Sequence, residues 1–201
     1  PLARSNLAAV LLGAGRVDEA AAQLEALHAL GYTRADVEIK RAYVLGRLGR
    51  AGEAARAVAA ALRLDPSSGR AHALAGQLAL AAGDVATAAR EHAAAQRLAP
   101  AHPSTGLLGY LLLHVDDARV DYLRALEALT FDDADGAAAA ARACLRRSPE
   151  RPQCEAALGE ALTLQSPLTR ESRTLLERCL ARLADGPDRR RCQEALWGAR
   201  R

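Results

Sequence analysis

The stretch GRVDEA at residues 15–20 returns as GRAGEA at 49–54 and as GDVATA at 83–88, so it recurs every 34 residues without gaps. Each copy begins with a glycine and ends five residues later with an alanine. Further positions keep the same spacing: small residues stand before each copy, at Ala8, Ala42 and Gly76, and Tyr32, Pro66 and Pro100 follow it. The first 102 residues are therefore three copies of one repeat.

Glycine and proline divide each repeat into two helices. Glycine tolerates the left-handed conformation that often ends a helix, so Gly15 and its counterparts predict a turn. Proline lacks an amide hydrogen and has a fixed φ, so Pro66 and Pro100 predict the end of a second helix. Ala8 and Ala20 fall where the two helices would cross, and larger side chains there would force the axes apart.

The pattern resembles the tetratricopeptide repeat, whose 34-residue unit has small residues at its eighth and twentieth positions, glycine near the fifteenth and often proline at the thirty-second. The resemblance implies an all-α fold: a right-handed superhelical solenoid of antiparallel helix pairs, with residues 1–102 as three regular repeats. Composition agrees with helices. Hydrophobic residues make up 50% of the chain and aromatic residues only 3%, so alanine and leucine, both good helix formers, supply the packing.

The repeat continues in weaker form over residues 118–185. A fourth copy at 118–151 has Ala125, Ala137 and Pro149 at the eighth, twentieth and thirty-second positions, and Asp132 stands where the turn glycine stood. A fifth copy at 152–185 keeps Gly159 at the eighth position but has Glu171 at the twentieth. We expect two degenerate repeats here.

Two segments fall outside this numbering. Residues 103–117 read as an insertion, either a separate short helix or a helix fused with the one that follows. Residues 186–201 read as a C-terminal capping helix that begins after Gly186 and Pro187 and folds Trp197 back. Because the chain starts at Pro1 and contains no Met, we expect it to be a piece of a longer polypeptide.

Charge and hydropathy limit the classes of partner. The formal net charge is only +3, with both signs interspersed, so nucleic acid is not an expected partner. The basic cluster of Arg189, Arg190 and Arg191, with Arg200 and Arg201 beyond, is explained by a solvated helix face. No run of 18 apolar residues occurs, and the stretch from Leu107 to Val115 predicts a buried helix, so no membrane span is expected.

All four cysteines lie in the degenerate half of the chain. Cys144 and Cys154, and again Cys179 and Cys192, each flank the loop between two successive helices, which can bring such positions within disulfide reach. We predict those two bridges, and hence an oxidising compartment such as a bacterial periplasm or the secretory pathway. The alternative is four buried thiols, which would suit the cytoplasm. The spacings lack the close pairs of structural zinc sites.

The sequence contains no linear signature of a catalytic site, and we expect neither catalytic residues nor a cofactor. His72 and His92 could face one another, so a metal site is one interpretation, and two hydrogen-bonded histidines are the other. The run Asp132, Asp133 and Asp135 resembles a calcium loop but lacks the downstream bidentate glutamate, so an acidic helix cap explains it better.

The resemblance implies a binding surface, because the first helix of each tetratricopeptide repeat lines a concave wall. Carried over by position, the predicted peptide-binding residues are Ser5, Leu12, Asp36, Ile39, Tyr43, Arg47, Arg70, Gln77, Leu80, Arg119 and Tyr122. Such a mixture of aliphatic residues, arginine and tyrosine suits a peptide strand or an amphipathic helix. The lysines and asparagines of the family's clamp for chaperone tails are missing, since the chain has only Lys40 and Asn6.

The leading hypothesis is therefore a non-catalytic protein-binding scaffold, with an envelope or secretion-related assembly as its expected setting. A second hypothesis is the substrate-docking or regulatory part of a larger enzyme. A third is a structural repeat protein that assembles with itself. A polar end helix near Trp197 would favour monomers, and an apolar one would favour assembly.

Overall fold

The computed structural model describes residues 1–113, 118–166 and 168–198, and over these residues the chain forms twelve α-helices and no strand. The helices are α1 Leu2–Gly13, α2 Val17–Ala29, α3 Ala35–Arg47, α4 Ala51–Leu64, α5 Gly69–Ala81, α6 Val85–Leu98, α7 Pro103–Leu112, α8 Ala118–Thr130, α9 Ala134–Arg147, α10 Pro152–Gln165, α11 Arg170–Arg182 and α12 Pro187–Gly198. The predicted all-α class is confirmed.

The helices belong to two compact bodies. The N-terminal body comprises Pro1–Leu12 and Arg16–Val115, and the C-terminal body comprises Gly13–Gly15 and Asp116–Arg201. In the N-terminal body, α3 packs against α4 and α5 against α6, and each second helix then contacts the next first helix. In the C-terminal body, α8 pairs with α9, and α10 packs against α9, α11 and α12. The predicted helix pairs are therefore present in both bodies.

The insertion predicted at residues 103–117 contains a separate short helix, because α7 ends at Leu112 and Leu113 caps it. Helix α7 packs against α5 and α6 as the next first helix of the N-terminal body. Residues 114–117 of the insertion, and residues 199–201 of the predicted capping helix, lie outside the described residues.

The turns within the pairs share one backbone geometry. Gly15, Gly49 and Gly83 have φ of 72°, 72° and 81°, in the left-handed region. After each glycine, the next amide donates back across the helix end, as from Arg50 to the Leu45 carbonyl at 2.9 Å. This bond satisfies a carbonyl that the helix leaves unpaired. The predicted role of the glycine column is confirmed.

Asp132 adopts the same conformation without being glycine. Its φ is 60°, and the amide of Asp133 donates to the Ala128 carbonyl at 3.0 Å, as in the glycine turns. A side chain in this region crowds the backbone, and aspartate is among the few residue types that tolerate it. Asp132 therefore takes the place in its turn that glycine takes in the first three repeats, as the sequence predicted.

The substitution Asp132→Gly is expected to stabilise the chain by about 0.5–1 kcal/mol, because relief of the left-handed strain exceeds the extra entropy that glycine loses on folding. Thermal unfolding followed by circular dichroism measures this. The reciprocal change, Gly49→Ala, should cost about 1 kcal/mol from strain alone, since an added Cβ there meets no atom within 4 Å. Equal stability of both variants and the parent would contradict this account of the turns.

Small residues fill the helix crossings. Ala20, Ala54, Ala88 and Ala137 are all 0% exposed, as the twentieth position requires. At Gly76, an added Cβ would lie 3.2 Å from Glu91 Cβ and 3.3 Å from the Ala88 carbonyl oxygen, and it would collide with Leu108. The fifth repeat departs from the predicted position by one residue, because Glu171 is exposed and Ser172 takes the buried place. The longer loop before α11, capped by Thr169, accounts for the shift.

The substitution Gly76→Ala is expected to destabilise the chain by about 1–3 kcal/mol, because the new methyl group overfills the crossing of α5 and α6. The matched control is Gly46→Ala in α3, where an added Cβ meets nothing within 4 Å. That change should stabilise by about 0.5–1 kcal/mol, since alanine is the better helix former. Denaturant unfolding measures both, and two effects of the same sign would argue against a tight crossing at Gly76.

Buried carboxylates connect neighbouring helices at the fourth position of three repeats. Glu38, Asp121 and Glu155 are all buried, where the family usually places a packing aromatic residue. They bind side chains of another helix: Glu38 forms a hydrogen bond with His28 at 2.8 Å, and ion pairs join Asp121 to Arg147 at 3.0 Å and Glu155 to Arg178 at 2.5 Å and Arg182 at 3.1 Å. Because a buried carboxylate without a partner is strongly unfavourable, these pairs fix which helices meet.

Candidate functional site

The first helices of the N-terminal body form its inner layer. Helix α3 contacts α5, and α5 contacts α7, whereas α4 and α6 show no comparable contact with each other among residues 16–113. Helices that approach more closely on one side of a layered array lie on the inside of its curve. We call the surface of α3 and α5 on this side the inner face of the N-terminal body.

Six of the predicted contact residues, all on α3 and α5, are at least partly exposed. Asp36 and Arg47 are exposed, and Tyr43, Arg70, Gln77 and Leu80 are half-buried. The accessible groups are therefore one aromatic ring, two guanidinium groups, one carboxylate, one amide and one aliphatic side chain.

Several polar groups of the inner face already have partners. The Arg34 Nε donates to Asp36 Oδ1 at 3.0 Å, and Gln77 Nε2 donates to the Ser104 carbonyl oxygen at 3.4 Å. Burial lowers the pKa of His102 below its ordinary value, and the nearby charge of Arg70 lowers it further. His102 is therefore uncharged at neutral pH, and Arg70 is the positively charged member of this pair.

Three predicted contact residues are buried, contrary to the expected exposure. Ser5, Leu12 and Ile39 retain 7%, 3% and 5% of their accessible surface. Ile39 is buried because α3 packs against α2, α4 and α5, so these neighbours cover more of the surface of α3 than the family positions implied. These three side chains offer almost no area to a partner in this conformation.

The inner layer of the C-terminal body is formed by α8, α10 and α12, and it carries the other two predicted residues. Arg119 is exposed, and Tyr122 is half-buried. The Tyr122 hydroxyl donates to Asp188 Oδ1 at 2.5 Å, and Arg191 Nε lies 3.4 Å from Glu160 Oε2. A hydrogen bond and an ion pair thus join α12 to α8 and α10.

The pKa shifts in this cluster follow from burial. Burial is the main cause that raises the pKa of Tyr122, and its hydrogen bond to Asp188 adds to the shift. Burial also raises the pKa of Glu160, while Arg191 opposes that rise. Because the folded-state pKa of Glu160 is raised, its charged form costs stability at neutral pH, and the cost disappears as the pH falls through that pKa.

Glu160, Asp188 and Arg191 were not among the contact residues predicted from the sequence. Glu160 occupies the ninth position of the fifth repeat, which belongs to the inner wall by the family pattern, so that signal was available. Asp188 and Arg191 lie in α12, beyond the last repeat, where no position could be transferred.

His72 and Asp133 have structural partners. His72 Nδ1 lies 2.6 Å from Glu91 Oε2, and its Nε2 lies 3.0 Å from the Pro66 carbonyl oxygen. Among the described residues, no group of three potential metal-binding side chains comes together. Asp133 caps α9 by accepting a hydrogen bond from the Gly136 amide at 2.9 Å, so the aspartate run serves the turn and the cap.

The four cysteines lie in two pairs at disulfide distance, with the predicted partners. The Cα atoms are 6.0 Å apart for Cys144 and Cys154, and 6.6 Å apart for Cys179 and Cys192. All four side chains are buried. Cys144 and Cys154 occupy the repeat positions of Ala61 and Ala71, so each bridge lies where a second helix meets the next first helix.

Removing one bridge, as in the double variant Cys144→Ala with Cys154→Ala, is expected to cost about 2–3 kcal/mol, because it frees a short loop in the unfolded chain. Denaturant unfolding measures this, with and without reductant. The N-terminal body contains no cysteine, so its unfolding supplies an internal control. Alkylation of all four cysteines after unfolding without reductant would show free thiols and refute the bridges.

Across the described ranges, none of the helices has the length and apolar character required to cross a bilayer.

The sequence matches no protein-family model and no curated protein. Similar solved structures include a tetratricopeptide repeat protein from Parabacteroides merdae, at 14% identity and a TM-score of 0.49, with 98% of this chain and 83% of that chain covered. A thermophilic TPR protein from Thermus thermophilus has 18% identity and a TM-score of 0.48, with 98% of both chains covered. MamA from Desulfovibrio magneticus has 18% identity and a TM-score of 0.46, with 89% of this chain and 92% of that chain covered.

These identities are low, so the fold assignment rests on features of the chain itself. The 34-residue period, a left-handed residue in the turn of four helix pairs and a buried small residue at the crossings occur together along the chain. The chain is built of tetratricopeptide-like helix pairs.

Proposed function

We propose that this chain is a non-catalytic scaffold that binds an extended peptide or an amphipathic helix on the inner face of its N-terminal body. The observation that carries the proposal is the set of half-buried and exposed side chains on α3 and α5, above all Tyr43 and Arg47. Tyrosine and arginine are the residue types that most often anchor a protein interface.

The inner face suits a chain of alternating character. Tyr43 and Leu80 supply apolar area that loses contact with water on binding. Arg47 and Arg70 favour carboxylates of the ligand, and Asp36, which occupies the same repeat position as Arg70, favours a basic group. The preferred ligand is therefore a mostly apolar segment with acidic residues toward Arg47 and Arg70.

On the equivalent surface of the C-terminal body, polar side chains pair with one another. Its polar residues Tyr122, Asp188, Glu160 and Arg191 already bind one another. A peptide would have to break these contacts and would gain little in exchange. The proposed role of the C-terminal body is to support the array.

The terminal helix favours binding over self-assembly. The exposed residues of α12 include Arg190 and Glu194 beside Trp197, so its outer face is polar with a single aromatic ring. Such a face resembles the polar caps that keep repeat proteins soluble as monomers.

The proposed setting is an oxidising compartment, such as a bacterial periplasm or the secretory pathway, where the chain would organise an envelope or secretion-related assembly. Support comes from the two buried cysteine pairs, since disulfides persist mainly in oxidising compartments.

The test is selection of peptides from a random phage-displayed library on the oxidised protein, followed by calorimetry of the enriched peptides. Tyr43→Ala and Arg47→Ala are each expected to weaken binding about tenfold or more, as loss of an anchor does. Arg142→Ala, an exposed arginine on α9, is the matched control and should leave affinity unchanged. Enriched peptides that bind Tyr43→Ala and Arg47→Ala as well as the parent would refute the site.

A further inference from the structure

The outer face of α4 and α6 carries a repeated arrangement of arginines. Arg56 and Arg63 on α4 and Arg90 and Arg97 on α6 are all exposed, and the two pairs are related by the 34-residue repeat. Within each helix the two arginines are seven residues apart, so they lie on one side about 10 Å from each other. That side is opposite the buried Ala54, Val58 and Ala61 in α4. We call these four arginines the arginine patch.

Carboxylates neutralise the arginine patch only in part, through the charges of Glu53 near Arg56 and of Asp84 near Arg90. Each helix has a single acidic residue: Glu53 binds Arg50 at 2.7 Å, and Glu91 binds His72 at 2.6 Å. Asp84 precedes α6 and caps it through Thr87, whose hydroxyl also accepts from Arg90 Nη2 at 2.8 Å. Among the described residues, no arginine of the patch forms an ion pair with a carboxylate, whereas Arg16, Arg34, Arg41 and Arg50 of the same body all do.

Exposed leucines border the patch. Leu64 and Leu98 directly follow Arg63 and Arg97 and are 48% and 45% exposed, and Leu30, one repeat earlier, is 69% exposed. The residues between the arginines on the outer face are small, among them Ala59 and Ala93, so they do not screen the guanidinium groups. Positive charge and apolar area thus occur together on α4 and α6, and the apolar area continues at Leu30 beside the end of α2.

We propose that the outer face of α4 and α6 docks on an anionic lipid surface, with the arginine patch on lipid phosphates and the bordering leucines entering the headgroup region. Guanidinium groups pair with phosphate oxygens in a fork geometry that lysine lacks. Leucine side chains gain by leaving water for the boundary of the acyl layer. This surface is separate from the inner face and does not depend on the proposed function.

A lipid surface fits better than the other polyanions. Nucleic acid would satisfy the arginines but would leave the leucines in water, because its outer surface is phosphate and sugar. A single acidic helix could cover only part of a patch that extends over α4, α6 and the end of α2. An anionic bilayer offers phosphate and an apolar layer over a broad area at once.

The test is co-sedimentation of the oxidised full chain with vesicles of phosphatidylcholine alone, and with vesicles that contain about one-third phosphatidylglycerol. Binding is expected only to the anionic vesicles, and it should fall steeply at about 0.5 M salt because exposed charges are then screened. Binding equal on both vesicles, or on neither, would overturn the proposal.

Variants locate the contact. Arg63→Gln with Arg97→Gln should weaken binding about thirtyfold, since each arginine near an anionic surface contributes roughly a fivefold gain in affinity. The matched control, Arg142→Gln with Arg146→Gln on α9, removes the same charge elsewhere and should change binding less than about twofold. An equal loss in the control would mean that net charge alone drives binding, which would overturn the proposed face.

The leucines distinguish a membrane from a simple polyanion. Leu64→Ser with Leu98→Ser keeps every charge and should weaken vesicle binding about tenfold, because the apolar contribution is lost. Both sites are exposed, so the fold should be unchanged by circular dichroism. Unaltered vesicle binding in this variant would overturn the lipid assignment and leave a phosphate-rich polymer as the partner.

Discussion

The close approach of paired helices at a small residue is the constraint on which the rest of this structure depends. Ala20, Ala54, Ala88 and Ala137 have no exposed surface, and at Gly76 even a methyl group would not fit. Because so little side chain separates the helices, dispersion contacts involve the backbones themselves. The left-handed residue in four of the turns serves this approach, since a tight reversal returns the second helix to the crossing.

The C-terminal body keeps this geometry with fewer consensus residues, and it replaces them with specific bonds. Asp132 takes the left-handed turn position, and Ser172 takes the buried small position. The two cysteine pairs connect successive helices, the first of them where the N-terminal body has Ala61 and Ala71. Glu155 with Arg178 and Arg182 connects α10 to α11 from the same repeat position that Glu38 occupies in the N-terminal body. Directional bonds of this kind specify which helices meet, whereas aliphatic packing tolerates many arrangements.

The two faces of the N-terminal body differ in chemistry because they face different environments in a layered array. First helices contact each other, so their exposed residues form a continuous inner face on which Tyr43 and Arg47 stand beside apolar area. Second helices pack mainly against first helices among residues 16–113, and one side of α4 and of α6 is exposed. That side is where the arginine patch repeats. One fold thereby presents two chemically different faces, the inner one proposed for a peptide and the arginine-rich outer one proposed for an anionic surface.

The sequence by itself determined the helices, their pairing and the turns, because these follow from backbone sterics and from a period that can be counted. Gly49, Ala54 and even Asp132 had predictable conformations, and the cysteine partners followed from hairpin geometry. The tertiary structure alone decided the burial of Ile39 and the partner of Tyr122. The Tyr122 hydroxyl binds Asp188, which lies 66 residues further along the chain. Such contacts depend on how successive pairs stack, and the stacking angle is set by many side chains together, so no local pattern encodes it.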